Sequence, residues 1–290
     1  MVSDFGSMRP EFTKFDILAD QMKFLPNHPA PMQKFAVFLF LACSVVSCVS
    51  PQPKEKWVRI FNGEDLEGWT AKISGHPAGD NFNNTFRAED GLLRVDYSEY
   101  DSFRYEFGHI FYKEELQFFK LRFEYRFLGA PLPGTPDWAI RNSGVMIHSQ
   151  SPESMNLDQA FPVSLEVQLL GALPDSPAHN RSTGNLCTPG TIVFMGGSPI
   201  TDHCIPSLAP AIPGEEWVQA EVVAEPNGQF YHLINGDTVI TYTDPRVGGS
   251  NLPYNYPIGD SIPVTKGYIS FQSEGHAVEF RNIELLELGE

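Results

Sequence analysis

The segment Phe119-Lys120-Leu121-Arg122-Phe123-Glu124-Tyr125-Arg126-Phe127 alternates apolar and polar side chains without a break. A helix would scatter that apolar set around its circumference, whereas a strand places all of it on one face. The apolar residues therefore face a core, and Lys120, Arg122, Glu124 and Arg126 lie on the opposite side. The pattern recurs along the chain. Leu92 to Asp96 follows the turn-like Glu89-Asp90-Gly91, and Ser143 to His148, Thr191 to Met195 and Trp217 to Val223 read as further strands. Phe230 to Ile234 and Thr238 to Tyr242 flank Asn235-Gly236-Asp237, a hairpin signal because Asn-Gly accepts positive φ. Gly267 to Ser273 and Ala277 to Leu288 complete the set.

No segment after Pro53 carries a long helical period, and 24 Gly and 24 Pro mark turns. The fold class is therefore all-β, and ten or more strands over this length suit a two-sheet antiparallel sandwich. Residues 171–216 and 244–266 read as longer irregular stretches, of the kind that rim a binding face.

The N-terminal part reads differently. Lys34, the apolar run Phe35 to Val46 and then Ser47-Cys48 describe a secretory signal. Val45-Val46-Ser47-Cys48 resembles a bacterial lipobox, with Cys48 the lipidated residue. The run is too short for a transmembrane helix, which needs about 20 residues. We therefore expect residues 1–31 to be an over-called start or a leader, 32–47 a signal peptide, 48–56 a tether and 57–290 a single sandwich domain. The expected location is the bacterial cell envelope, with membrane contact only through the lipid anchor. Residues 1–47 hold as many acids as bases, so the formal charge of the remainder stays at −16. Such a surface excludes nucleic acid and anionic lipid as natural partners, since both reward clustered Lys and Arg. Neutral carbohydrate is compatible with it, and oligomeric state is not legible. Cys187 and Cys204 remain in an exported chain, where a disulfide is the favoured reading.

The strand Val163 to Leu170 carries the candidate chemistry. Its alternation stands Glu166 and Gln168 side by side on one face, a carboxylate and an amide suited to sugar binding and proton transfer. His148, Arg141, Asn142, Gln272 and His276 come from neighbouring strand ends and turns. Glu124 and Arg126 are candidates for sugar contact or for plain pairing across the sheet. Trp138, Tyr254 and Tyr256 sit in loops and could stack on sugar rings. Laminarinase-type glycosidases carry Glu-x-Asp-x-(x)-Glu on one strand, and a retaining mechanism needs two carboxyls about 5–5.5 Å apart. Here the strand reads Glu166-Val167-Gln168-Leu169-Leu170-Gly171. The amide cannot ionise and the second glutamate is missing, so double displacement from this strand alone is not expected. The chain also lacks a G-x-S-x-G elbow, an H-E-x-x-H pair and a P-loop.

In order and spacing, six segments resemble the 3-keto-disaccharide hydrolase family. They are Trp57 to Trp69, Asn142 to His148, Glu166-Val167-Gln168, His232 to Gly236, Gly267 to Gln272 and Val278 to Ile283. The resemblance covers about residues 57–288 and implies a concanavalin A-like jelly roll. Where the family pattern often has arginine after the Ser-Gly strand, this chain has His148. The implied activity is cleavage of 3-keto-glycosides by proton abstraction next to the ketone, elimination and hydration. Glu166 and His148 are the expected catalytic pair. Gln168, Arg141, Asn142, Glu124, Arg126, Trp138, Gln272 and His276 are the expected substrate contacts. No metal ligand set stands out, although a divalent cation on the enolate would suit the chemistry. Two alternatives remain at this stage: a lectin-like module, or a glycosidase on unoxidised glycans whose acid comes from Glu124 or Glu274.

Overall fold

The computed structural model describes residues 56–173, 181–257 and 262–289. The expected leader, the signal peptide, Cys48 and the tether up to residue 55 lie outside the described residues.

Strands are numbered along the chain. One sheet has seven, in the spatial order β13 (Cys204–Ile205), β10 (Asn185–Cys187), β8 (Leu165–Leu170), β7 (Asn142–Ser149), β18 (Tyr268–Ser273), β5 (Gly108–Tyr112) and β2 (Trp69–Ile73). The other has ten. Its order is β12 (Ser198–Ile200), β11 (Thr191–Met195), β17 (Asp237–Val247), β16 (Gln229–Ile234), β15 (Val218–Ala224), β6 (Phe119–Phe127), β19 (Val278–Glu287), β4 (Leu92–Val95) and β3 (Phe86–Glu89). β1 (Val58–Arg59) joins it against β19, and β9 (Ser182–Thr183) pairs with β14 (Ala209–Pro210) apart from both. The strand-to-strand ladders are antiparallel, and helix among the described residues is confined to three short 3₁₀ turns. The all-β, two-sheet antiparallel jelly-roll sandwich expected from the alternation is the observed architecture. The stretch 171–216, expected to be irregular, also contributes short strands to both sheets.

The core lies between the sheets because each contributes the apolar half of its alternation. Phe271 of β18 meets Phe280 of β19 at 4.8 Å and Phe123 of β6 at 5.3 Å between ring centroids, stitching the layers together. β6 buries every second residue, as its sequence requires. Burial of such rings contributes roughly 1.5–3 kcal/mol each relative to exposure.

The polar half of β6 faces away from the core, and that corrects two of the expected sugar contacts. Glu124 is held by Arg281 at 2.6 Å and by the Asn282 amide at 2.8 Å. Arg126 pairs with Glu279 at 2.7 Å and lies over the Trp217 ring. Both residues belong to a charged ladder on the outer face of the ten-stranded sheet. β8, with Glu166, is in the other sheet and turns its polar side chains away from the shared core.

Candidate active site

The seven-stranded sheet turns Leu165, Val167 and Leu169 of β8 into the core, so Glu166 and Gln168 project from its other face. Register then determines their neighbours. Met146 of β7 stands opposite Glu166, and Gly144 opposite Gln168. On the far side of β8, Cys187 pairs with Glu166 and Asn185 with Gln168. The Glu166 side chain leans over Gly144: a Cβ built there would lie 2.9 Å from both Cγ and Cδ of the glutamate. The glycine of the Asn142-Ser143-Gly144 segment leaves the room that the carboxyl occupies.

Glu166 lines a cavity of about 320 Å³ together with Gln168, Asn142, Trp138, Phe161, Pro189, His203, the cysteines 187 and 204, and Glu274. Cys187 and Cys204 form a disulfide, which ties the edge strand β13 to β10 and closes that wall. Glu274 follows β18, two residues beyond Gln272 and on the same side by strand alternation. The turn carrying it is fixed from both sides. Gly275 adopts φ 88°, where a side chain would be strained and would meet Thr135 Oγ1 and the Phe103 ring. Its N–H donates to Tyr97 Oη at 2.7 Å, and its carbonyl accepts from Thr135 Oγ1 at 2.8 Å.

The two carboxyls are therefore buried in one pocket, with Glu166 6 % and Glu274 3 % exposed. Burial pushes Glu166 up to about 8. Glu274 is raised well above the ordinary carboxylate range, first by burial and then by the charge of Glu166. Two such groups do not ionise together readily: loss of the first proton makes loss of the second harder. Once the pair has lost one proton, a single site offers both a proton acceptor and a proton donor.

Gln168 is oriented rather than free. Asn185 Nδ2 donates to its Oε1 at 2.9 Å, which leaves the Gln168 NH₂ group to donate elsewhere. Asn185 is itself held through its Oδ1, which accepts from Ser182 Oγ at 2.6 Å and from the Ser207 N–H at 2.9 Å. Asn142 Nδ2 reaches the Trp138 carbonyl at 3.4 Å, while its buried Oδ1 has no partner among the described residues. Trp138, 53 % exposed, stacks on Phe107 with 5.8 Å between rings.

Of the expected site residues, the fold brings Glu166, Gln168, Asn142 and Trp138 into this pocket. Gln272 lies on the same sheet face in line with Gly144 and Gln168, but fully buried beside His109 of β5. His148 stands apart from Glu166, and the expectation that the two share a site is corrected. β7 carries one extra residue against β18 between Met146 and Ser149, and His148 takes φ 46° there. The bulge inverts the alternation. The ring consequently turns inward between Phe119 and Phe230, with Nε2 at 2.9 Å from the Gln117 carbonyl. Arg141 is directed to the Gly214 carbonyl, and His276 packs edge-on against Phe127. Neither lines the pocket.

Glu274, Phe161, His203 and Asn185 enter the site without having been singled out for it, except Glu274 as the acid of a rival mechanism. The Gln272–Glu274 spacing was the available signal for that residue. Among the described residues, no three His, Cys, Asp or Glu side chains are grouped as a metal ion would require.

Residues 56–286 match the family model described as a 3-keto-alpha-glucoside-1,2-lyase-like domain. No curated protein matches the chain significantly. Among solved structures, the chain is similar to two proteins of Parabacteroides distasonis named as candidate glycosyl hydrolases. One is 20 % identical with TM-score 0.48, covering 80 % of this chain and 100 % of its own. The other is 21 % identical with TM-score 0.46, covering 80 % and 94 %. A Bacillus licheniformis beta-glucanase is 11 % identical with TM-score 0.45, covering 82 % and 100 %.

Proposed function

The chain belongs to the 3-keto-alpha-glucoside-1,2-lyase-like family, and we propose that it cleaves 3-keto-glycosides by elimination across carbons 1 and 2. The observation that supports this reading is the Glu166–Glu274 pair, two buried carboxyls in one pocket whose environment resists full ionisation. A ketone at carbon 3 acidifies the proton on carbon 2. Glu166, in its ionised form, accepts that proton, and the electron pair passes to the carbonyl oxygen as an enolate. The enolate then re-forms the ketone, the double bond between carbons 1 and 2 is made, and the glycosidic C1–O bond breaks. Glu274 gives its proton to the departing oxygen. Water adding at carbon 1, with a proton returned to carbon 2, completes a net hydrolysis.

A carboxylate with a raised pKa is a stronger base than an ordinary glutamate, which suits abstraction from carbon. The Gln168 NH₂ group, aimed by Asn185, is placed to donate to the enolate oxygen. Trp138 at the mouth offers a ring face to the sugar. The Lys34 to Cys48 pattern assigns this activity to the cell envelope, as part of the same proposal.

Glu274 also supplies the second carboxyl that an ordinary retaining glycosidase would need. That mechanism, like the elimination, needs one carboxyl of the pair ionised, so the substrate's ketone is what distinguishes the two. Incubation with methyl 3-keto-glucoside and with methyl glucoside separates the readings. Product from the ketone alone, lost in Glu166→Gln, is the expected result. Release from the unoxidised glycoside, or binding of both without product, would overturn the proposal.

A further inference from the structure

Next to the Glu166 pocket, and sharing Phe161 with it, lies a second cavity of about 370 Å³. We propose that this cavity is the leaving-group subsite, and that it takes a second hydroxylated ring. The inference rests on the activity proposed above, because a leaving group has meaning only for a glycoside cleaved at Glu166.

Two loops build the cavity, residues 156–161 on one side and 251–254 on the other. They are joined by a reciprocal amide pair, Asn156 and Asn255, with each Nδ2 donating to the other's Oδ1 at 2.9 Å. The first loop is pinned to the edge of the seven-stranded sheet. Buried Lys72 donates through Nζ to the Leu157 carbonyl at 2.9 Å, the Gly75 N–H donates to the same oxygen at 2.8 Å, and Ser74 Oγ donates to the Asp158 carbonyl at 3.1 Å. Gln159 is used up within the wall. Its Nε2 donates to Gln150 Oε1 and to the Phe161 carbonyl, and its Oε1 accepts from the Asn156 N–H.

With those groups committed to structure, the side chains left to a ligand are the Asp158 carboxylate, the Asn251 amide and Tyr254. Tyr254 is 91 % exposed, so its ring is open to a ligand at the cavity's rim. A carboxylate and an amide for hydroxyls, with an aromatic face beside them, is the chemistry of a sugar site rather than of an alkyl pocket. Each cavity lies near the small end of the range for ligand sites, which suits one ring in each. Phe161 at their junction then stands beside the scissile bond.

The test compares a 3-keto-glucosyl-glucose disaccharide with methyl 3-keto-glucoside on the wild type, Tyr254→Ala and Tyr254→Phe. The kcat/KM ratio of disaccharide to methyl glycoside should fall about five- to tenfold in Tyr254→Ala, the scale of one aromatic contact. Tyr254→Phe should recover most of it. An unchanged ratio in Tyr254→Ala would overturn the subsite. Should the wild type cleave neither compound, the proposed reaction fails, and calorimetric titration with the same two ligands then decides the subsite alone. Tighter binding of the disaccharide, lost in Tyr254→Ala, supports it; equal binding overturns it.

Discussion

The carboxyl of Glu166 occupies the space that a Cβ on Gly144 would need, so the acid on β8 and the glycine on β7 form one unit. Any side chain at 144 must move the carboxyl or the strand. Gly144→Ala is expected to destabilise the fold by about 1–3 kcal/mol, as overpacking does, and to lower kcat on the order of 10²-fold by displacing the base. Thermal unfolding and steady-state kinetics on the same preparation check both.

Asn185 governs the site without needing to touch substrate. Removing its side chain leaves Gln168 Oε1 and the Ser207 N–H without their donor and acceptor, at a stability cost of about 1–3 kcal/mol. Asn185→Ala should lower kcat roughly 10–100-fold, with KM changing less, because the amide is no longer aimed.

Stability should depend on pH from both directions. In the folded state Glu166 binds its proton up to about 8, against 4.5 ordinarily. The native chain therefore holds more protons between those values, and this group's contribution, complete below 4.5, is lost as pH rises through 8. Burial holds His109 neutral down to about 3, and His148, His232 and His276 down to about 4, against 6.5. Their contribution is present above 6.5 and is lost as pH falls toward those values. Denaturant titrations across pH 4–9 should show stability falling at both ends. Glu166→Gln should lessen the alkaline fall, with Glu274 supplying what is left of it, and leave the acid side unchanged.

The outer charged ladder should be catalytically silent. Glu124→Gln removes a carboxylate paired with Arg281 and Asn282 on the far sheet. It should leave kcat/KM within about twofold and cost at most about 1 kcal/mol, as partly exposed ion pairs do.

The alternation of β6 and β8 made the sandwich legible, because a buried face leaves a period-two trace in sequence. The same trace placed Glu166 beside Gln168. It failed at His148, where one extra residue in β7 reverses the alternation and nothing in Ser143 to His148 announces the bulge. Glu124 and Arg126 were ambiguous because alternation shows that residues share a face, not which sheet the face belongs to. β5 and β2 went unnoticed, since Gly108 to Tyr112 is apolar throughout apart from His109. Glu274 lay just beyond a strand, where alternation from Gln272 gives its side of the sheet but not its burial in one pocket with Glu166.

The most direct test runs the cleavage of methyl 3-keto-glucoside in D₂O and reads deuterium at carbon 2 of the released 3-keto sugar. Product incubated without enzyme measures background exchange. Elimination followed by hydration must replace that hydrogen from solvent, so near-complete deuteration above background, abolished along with turnover in Glu166→Gln, is the expected result. Retention of the original hydrogen at carbon 2 during full-rate cleavage would contradict the role given to Glu166 and Glu274.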